Sequence, residues 1–185
     1  MFENLIKRYF KSFLFFGFKN MLACFFPAFI FLTLAISKKL EFTFIYRYDF
    51  LLIVCVAMQF FMVKSKMESR NELLVICLFH ILGLAMELFK VNKGSWSYPE
   101  EAYSKFYGVP LYSGFMYASV ASYMCQAWHW FNLKIEKQPK QFISIALAAL
   151  IYLNFFTHHY IYDFRWILLL AVMHQHCAEF IILLP

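Results

Sequence analysis

Charge is scarce in this sequence. Asp, Glu, Lys and Arg together make up 15% of the 185 residues, against 63% hydrophobic residues. A soluble domain of this size could not hide that much apolar surface, which sets aside an ordinary water-soluble fold. Glycine and proline number five each, too few for a collagenous or low-complexity chain. The cysteines Cys24, Cys55, Cys77, Cys125 and Cys177 fall one to each of five apolar runs, with no CxxC and no paired spacing. That removes a disulfide framework and a zinc site, and leaves small apolar packing residues. No cofactor is implied.

What is present is a series of apolar blocks separated by Lys- and Arg-bearing breaks, the pattern of a polytopic helical membrane protein. The fold expected is therefore all-α: a transmembrane helical bundle of five to six spans with an N-terminal amphipathic helix, forming a single domain over residues 1–185. Residues 1–20 are its interfacial segment and 21–185 the bundle, incomplete at the C-terminus. Residues 2–16 place Phe2, Leu5, Ile6, Tyr9, Phe13 and Phe16 on one helical face. They lie along the membrane surface or extend the first span. A secretory signal is not expected, because Lys19 interrupts the run and no cleavage site leads into polar chain.

The spans read as residues 21–37, 48–63, 73–89, 111–131 and 142–161, with a sixth apolar segment over 166–185. Pro27 is expected to kink the first. Gln59 is the one strongly polar group inside the second, and residues 64–72 read as a solvated loop. Ten basic residues, in the N-terminal arm and the 64–72 and 132–141 links, would share one side, against seven on the other. The positive-inside rule then puts the N-terminus in the cytoplasm of a bacterial inner-membrane protein. The net charge of +6 fits loops facing anionic lipid. Nucleic acid is not expected as a partner, because the aromatics sit inside the apolar blocks. The expected partners are membrane lipids, with a lipid or isoprenoid small molecule as candidate substrate.

Glu87 is the least easily explained charge, since a carboxylate in hydrocarbon must be solvated, paired or protonated. His80, Leu84 and Glu87 share a helical face, and Gly83 thins that side so that another helix or a ligand can approach. Glu87 could act as a general acid with His80 in support, or pair with Lys90 at i+3 near the interface. Ser113 and Tyr117 at the start of the fourth span could offer hydroxyls to that carboxyl group. The loop Gly94-Ser95-Trp96-Ser97-Tyr98-Pro99-Glu100-Glu101 carries Trp96 and Tyr98 as either a headgroup anchor or a lid. A third cluster joins Asn154, His158, His159, Tyr162, Asp163 and Arg165, with His159 and Asp163 four apart, where a carboxylate can orient an imidazole. A metal would need further ligands, for which His80 and Glu87 are the candidates; none is assigned. Gln126 and His129 read as interfacial.

Three stretches carry a family likeness: Tyr46-Arg47-Tyr48-Asp49-Phe50; the Gly94–Glu100 run with Gly108-Val109-Pro110-Leu111-Tyr112-Ser113-Gly114-Phe115-Met116-Tyr117-Ala118; and Tyr152-Leu153-Asn154-Phe155-Phe156-Thr157-His158-His159 with Tyr162-Asp163-Phe164-Arg165-Trp166. They resemble the YoaT-like family of bacterial integral membrane proteins, a domain of unknown function. The resemblance implies a multi-pass inner-membrane protein without assigned activity. It covers about residues 24–166 and fails beyond Trp166, which makes the chain look like a truncated or frame-shifted member. His174, His176 and Glu179 are then accidents of spacing. A fainter likeness, the in-span glutamate with a Gly-x-Trp-x-Tyr loop, is similar to membrane carotenoid cyclases and hydratases, by analogy alone.

Two functional classes fit these residues. One is a membrane-embedded enzyme acting on a lipid or isoprenoid, with Glu87 as acid supported by His80, His158, His159 and Asp163. The other is a small-solute or proton-coupled transport component whose polar groups line a path. A purely structural membrane role needs none of them.

Overall fold

In the computed structural model the structure describes residues 2–134 and 140–179, with side chains described over 6–134 and 140–174. The elements are α1 (Phe2–Ala23), α2 (Phe25–Ser37), α3 (Arg47–Lys64), α4 (Arg70–Asn92), the two-residue strands β1 (Lys105–Phe106) and β2 (Val109–Pro110), then α5 (Ser113–Phe131), α6 (Gln141–Thr157) and α7 (Arg165–Glu179). The fold is all-α apart from that small hairpin. It forms two compact units, Met1–Asn132 and Leu133–Pro185, each described here by itself.

Within the first unit α5 is the central helix, packing on α4, α1 and α2. Its buried positions are small or polar (Ser113, Gly114, Ala118, Ser119, Ala121, Ser122 and Gln126), which lets neighbouring helices close on it. Ile76 of α4 meets Ala118 and Ala121 there. Phe26 and Ile30 of α2 pack with Cys55, Met58 and Met62 of α3.

The expected break in the first span is present, but lies ahead of Pro27. Proline lacks an N–H and its ring crowds the carbonyl four residues back, which is Ala23, the last residue of α1. Helix α2 restarts from Cys24, and the two helices bend by 65°. Around α1 the side chains of residues 6–18 are exposed on every side, Phe13 at 70% among them. Phe16 packs on Phe131 at the end of α5, with ring centroids 5.3 Å apart.

The ends of α4 follow local rules. Ser69 and Glu72 form a reciprocal capping box at its start. At its end Gly94 takes a φ of 68°, while the Gly94 and Ser95 N–H groups donate to Val91 and Lys90 carbonyls, a Schellman closure. The hairpin turns through Tyr107 and Gly108, with φ of 46° and 81°, as a tight turn needing two left-handed residues demands.

Apolar side chains point outward and polar ones inward along α4. Leu74, Leu78 and Ile81 form an exposed stripe, while Gly83 and Glu87 are buried and His80 is half-buried. Helix α3 is apolar on both sides, with Ile53, Val56 and Phe60 exposed and Leu51, Cys55, Met58 and Met62 buried. Among the described residues, α4 is long and apolar enough to cross a membrane, and α1 with α2 qualifies if the bent pair counts as one span. The other expected spans fall on helices that are shorter or more polar.

Two expectations need correction. The fifth apolar segment is helical only to Thr157, so residues 158–164 form a turn and an extended link instead of continuing the helix. Residues 64–72 are not simply solvated, because Glu68 is buried. His176 and Glu179 have side chains outside the described residues; His174 is exposed on α7.

Candidate functional site

Glu87 lies one turn before the end of α4, facing α5, and is 3% exposed. Three donors converge on its carboxylate. Tyr117 of α5 donates its hydroxyl to Oε1 at 2.8 Å and Tyr98 of the 93–112 loop donates to Oε2 at 2.8 Å. Lys90 Nζ lies 2.5 Å from Oε1. Glu87 therefore takes its expected i+3 partner Lys90 and also faces inward to Tyr117. Burial and the bond to Glu87 push the Tyr98 phenol up, so it remains a donor.

Gly83 makes the approach possible. A Cβ there would stand 2.4 Å from Tyr117 Cδ2 and 2.7 Å from Tyr117 Cβ, so it is α5 that takes the space glycine leaves. Gly114 does the same for His80, whose ring would lie 2.8 Å from a Cβ at that position. The His80 ring rests against Phe115 at 4.5 Å. His80 Nδ1 and Ser113 Oγ are buried without a hydrogen-bond partner. Neither residue bonds to Glu87, so of the hydroxyls expected around the carboxyl group Tyr117 is present, Ser113 is not, and Tyr98 supplies the second.

The loop over this site is tied down at the start of α3. Arg47 donates Nε and Nη2 to the two oxygens of Glu100 at 2.6 and 2.5 Å. Asp49 accepts the backbone N–H groups of Tyr103 and Ser104 at 2.9 and 2.8 Å. Lys105 Nζ donates to the carbonyls of Tyr98 and Glu100 at 2.6 and 2.7 Å. Tyr48 packs against Tyr98 and Tyr112. The loop's aromatics divide accordingly: Tyr98 turns in, while Trp96, Tyr103 and Tyr107 are 57%, 86% and 82% exposed. Two stretches of the family likeness, around Arg47 and around Tyr98, are thus partners in space. The sequence alone gave Arg47, Asp49 and Glu100 no role beyond the membrane boundary. The pairing joins residues more than fifty apart, which no periodicity reveals.

At the other end of unit 1, Glu68, Gln59, Ser122 and Gln126 form a buried polar group. Gln126 is 1% exposed, against the interfacial position expected, and its amide donates to the Met67 carbonyl at 2.6 Å. His129 is exposed.

In the second unit Asp163 takes Asn154 and Arg165. Asn154 Nδ2 donates to Oδ1 at 3.1 Å, the Arg165 N–H does so at 3.0 Å, and Arg165 Nη2 pairs with Oδ2 at 2.7 Å. These bonds hold the Asp163 carboxyl down to about 2. Because α6 stops at Thr157, the spacing of His159 and Asp163 is not a helical one. His158 and His159 stack at 3.9 Å, and His158 Nδ1 bonds the Phe155 carbonyl at 2.8 Å. A groove of about 610 Å³ runs between α6 and α7, with Asn154, His158 and Arg165 beside Phe155, Trp166 and Leu169. Among the described residues no group of three His, Cys, Asp or Glu side chains is placed to hold a metal.

The family model described as a protein of unknown function, DUF817, matches residues 12–183. Among curated proteins the chain is similar to the uncharacterized protein YoaT of Bacillus subtilis (strain 168), 60% identical over 156 residues that cover 84% of this chain. The chain spans 59% of the length of that relative. The family match continues past Trp166, against the expectation that the likeness ends there. No solved structure matches.

Proposed function

The chain belongs to the DUF817 family of proteins of unknown function, and we propose that it is a multi-pass membrane protein acting as a small-solute or proton-coupled transport component. The exposed apolar faces of α3 and α4, with Gly83 and Glu87 of α4 turned inward, support the membrane reading; lipid would cover the outer face. The five to six spans and an inner-membrane site with a cytoplasmic N-terminus belong to the same proposal, as does the division into an interfacial arm and one bundle.

The observation that carries the transport reading is the set of partners around Glu87. A carboxyl group whose two oxygens are already engaged by Lys90, Tyr98 and Tyr117 is not presented to an isoprenoid double bond. It is well suited to exchange partners when a proton or a cation arrives. The unpartnered His80 Nδ1 and Ser113 Oγ supply further polar stations along the α4–α5 contact.

A second reading rests on the groove of unit 2. Its apolar walls, with Asn154, His158 and Arg165 at one edge, fit an amphiphile with an anionic or polar head. On that reading the protein handles a lipid or isoprenoid, with His158, His159 and Asp163 as the working residues.

Cysteine labelling at Ser69 and Ser97 tests the topology: accessibility from opposite sides supports the bundle, and labelling from one side rejects it. Lipid and isoprenoid profiling of a deletion strain, complemented by wild type or Glu87→Gln, separates the two functions. An accumulated precursor that only wild type clears would turn the assignment to the enzyme; a profile unchanged by deletion supports transport.

A further inference from the structure

Glu68 lies in a basic stretch whose composition predicts a solvated loop, yet it is 2% exposed. The 65–69 turn folds it inward. Lys66 takes a left-handed φ of 60°, the Glu68 N–H donates to the Met62 carbonyl at 3.1 Å, and Gln126 holds the Met67 carbonyl from α5. One carboxyl oxygen bonds the Ser122 hydroxyl, and the other lies 2.5 Å from Gln59 Nε2. No lysine or arginine pairs with it among the described residues, whereas Glu87 has Lys90. Gln59 Oε1 is itself buried without a partner. A buried acid with only neutral partners is the case in which the uncharged form wins.

A cavity of about 630 Å³ reaches Glu68 from the 65–69 turn and is also lined by Lys66, Arg70, Glu72 and His129. We propose that Glu68 is a proton-binding site, a buried carboxylic acid among neutral partners that exchanges its proton with water in this cavity, at the opposite end of unit 1 from Glu87. In the loaded state the acid O–H is shared with Ser122, whose own hydroxyl hydrogen can pass to a helix carbonyl. On release the O–H bond breaks, the proton goes to cavity water, and Ser122 and Gln59 hold the carboxylate left behind. The charged groups facing it are few. Glu72 and Arg70 come from α4, Lys66 from the turn, and His129 with the thiol of Cys125 from α5; Lys64 of α3 lies over the Phe60 ring. Burial pushes the Glu68 carboxyl up, and the bonds from Ser122 and Gln59 reverse only part of this, with Glu72 adding to the rise.

The site is independent of the transport reading, because it concerns a protonation state that holds whether or not solute moves. The test compares the full chain with Glu68→Gln in detergent. A group whose pKa is raised on folding stabilises fully below its unfolded value, and that stabilisation is lost as pH rises through the folded value. Wild type should therefore lose folding equilibrium relative to Glu68→Gln by about tenfold per pH unit above the ordinary carboxylate range. Infrared spectra recorded just above the ordinary carboxylate range should show a protonated-carboxyl band in wild type that Glu68→Gln lacks. Parallel pH profiles, or no such band, would overturn the proposal. Should Glu68→Gln fail to fold, Ser122→Ala keeps the acid and removes one bond, and must raise the frequency of the band. An unmoved band would also overturn it.

Discussion

Tyr98 donates its hydroxyl to Glu87 at 2.8 Å from a loop that α4 itself leads into. The bond closes that loop back on the helix that launched it, and Tyr117 fixes the same carboxylate to α5. Tyr98→Phe removes a bond to a charged acceptor and should cost about 1.5–3 kcal/mol. The phenol is pushed up, so it contributes stability below the ordinary tyrosine pKa, lost as pH rises through its folded value. Thermal melting against pH should show an alkaline loss in wild type that Tyr98→Phe lacks. An unchanged alkaline limb would refute the assignment.

Gly83→Ala should separate α4 from α5. Helix propensity returns about 1 kcal/mol, but a Cβ 2.7 Å from Tyr117 Cβ meets the root of the side chain, where rotation gives no relief. Overpacking of about 1–3 kcal/mol outweighs the gain. The variant should melt lower and its 93–112 loop should be cut faster by protease. A variant as stable as wild type would mean the helices have room to spare.

Arg47 and Asp49 should differ in weight although both tether the loop. The Glu100 partner of Arg47 is 44% exposed, so Arg47→Lys should cost under about 1 kcal/mol. Asp49 is buried and serves two amides. Asp49→Asn offers one acceptor oxygen in place of two and should cost about 1–3 kcal/mol. Hydrogen exchange at Tyr103 and Ser104 reads this directly; equal protection in both variants would contradict the ranking.

Asp163 should titrate low. Its carboxyl is held to about 2 by Arg165 and Asn154, so its contribution is present above the ordinary aspartate range and lost as pH falls through the folded value. Carbon-13 detection of the carboxyl should give a midpoint below that of a free aspartate, and Arg165→Gln should bring it back up. A normal midpoint in wild type would remove the pairing.

Much of the architecture was legible because apolar blocks and helices share boundaries. Residues 48–63 and 73–89 fall inside α3 and α4, and residues 111–131 nearly coincide with α5. Around Glu87, Lys90 at i+3 and Tyr117 were also readable, since local spacing and chain order placed them. Glu68 was not. It sits among Lys64, Lys66 and Arg70, where composition reads as water, and its burial depends on Gln59 and Ser122 of two other helices. The end of α6 was missed for the converse reason. Phe155 and Phe156 continue the apolar pattern up to the very point where the backbone leaves the helix.

If the chain is embedded as proposed, the break at Cys24 bears on the thickness of the bilayer around it. At about 1.5 Å per residue, the thirteen residues of α2 reach roughly 20 Å, short of the hydrocarbon depth of about 30 Å. With α1 turned 65° away, the pair cannot cross as one straight rod. On the membrane reading proposed above, lipid beside this elbow would have to thin to meet Ser37 and Lys38 at one end and Lys19 at the other. The protein should therefore favour short-chain lipids, and its melting temperature should fall as acyl chains lengthen.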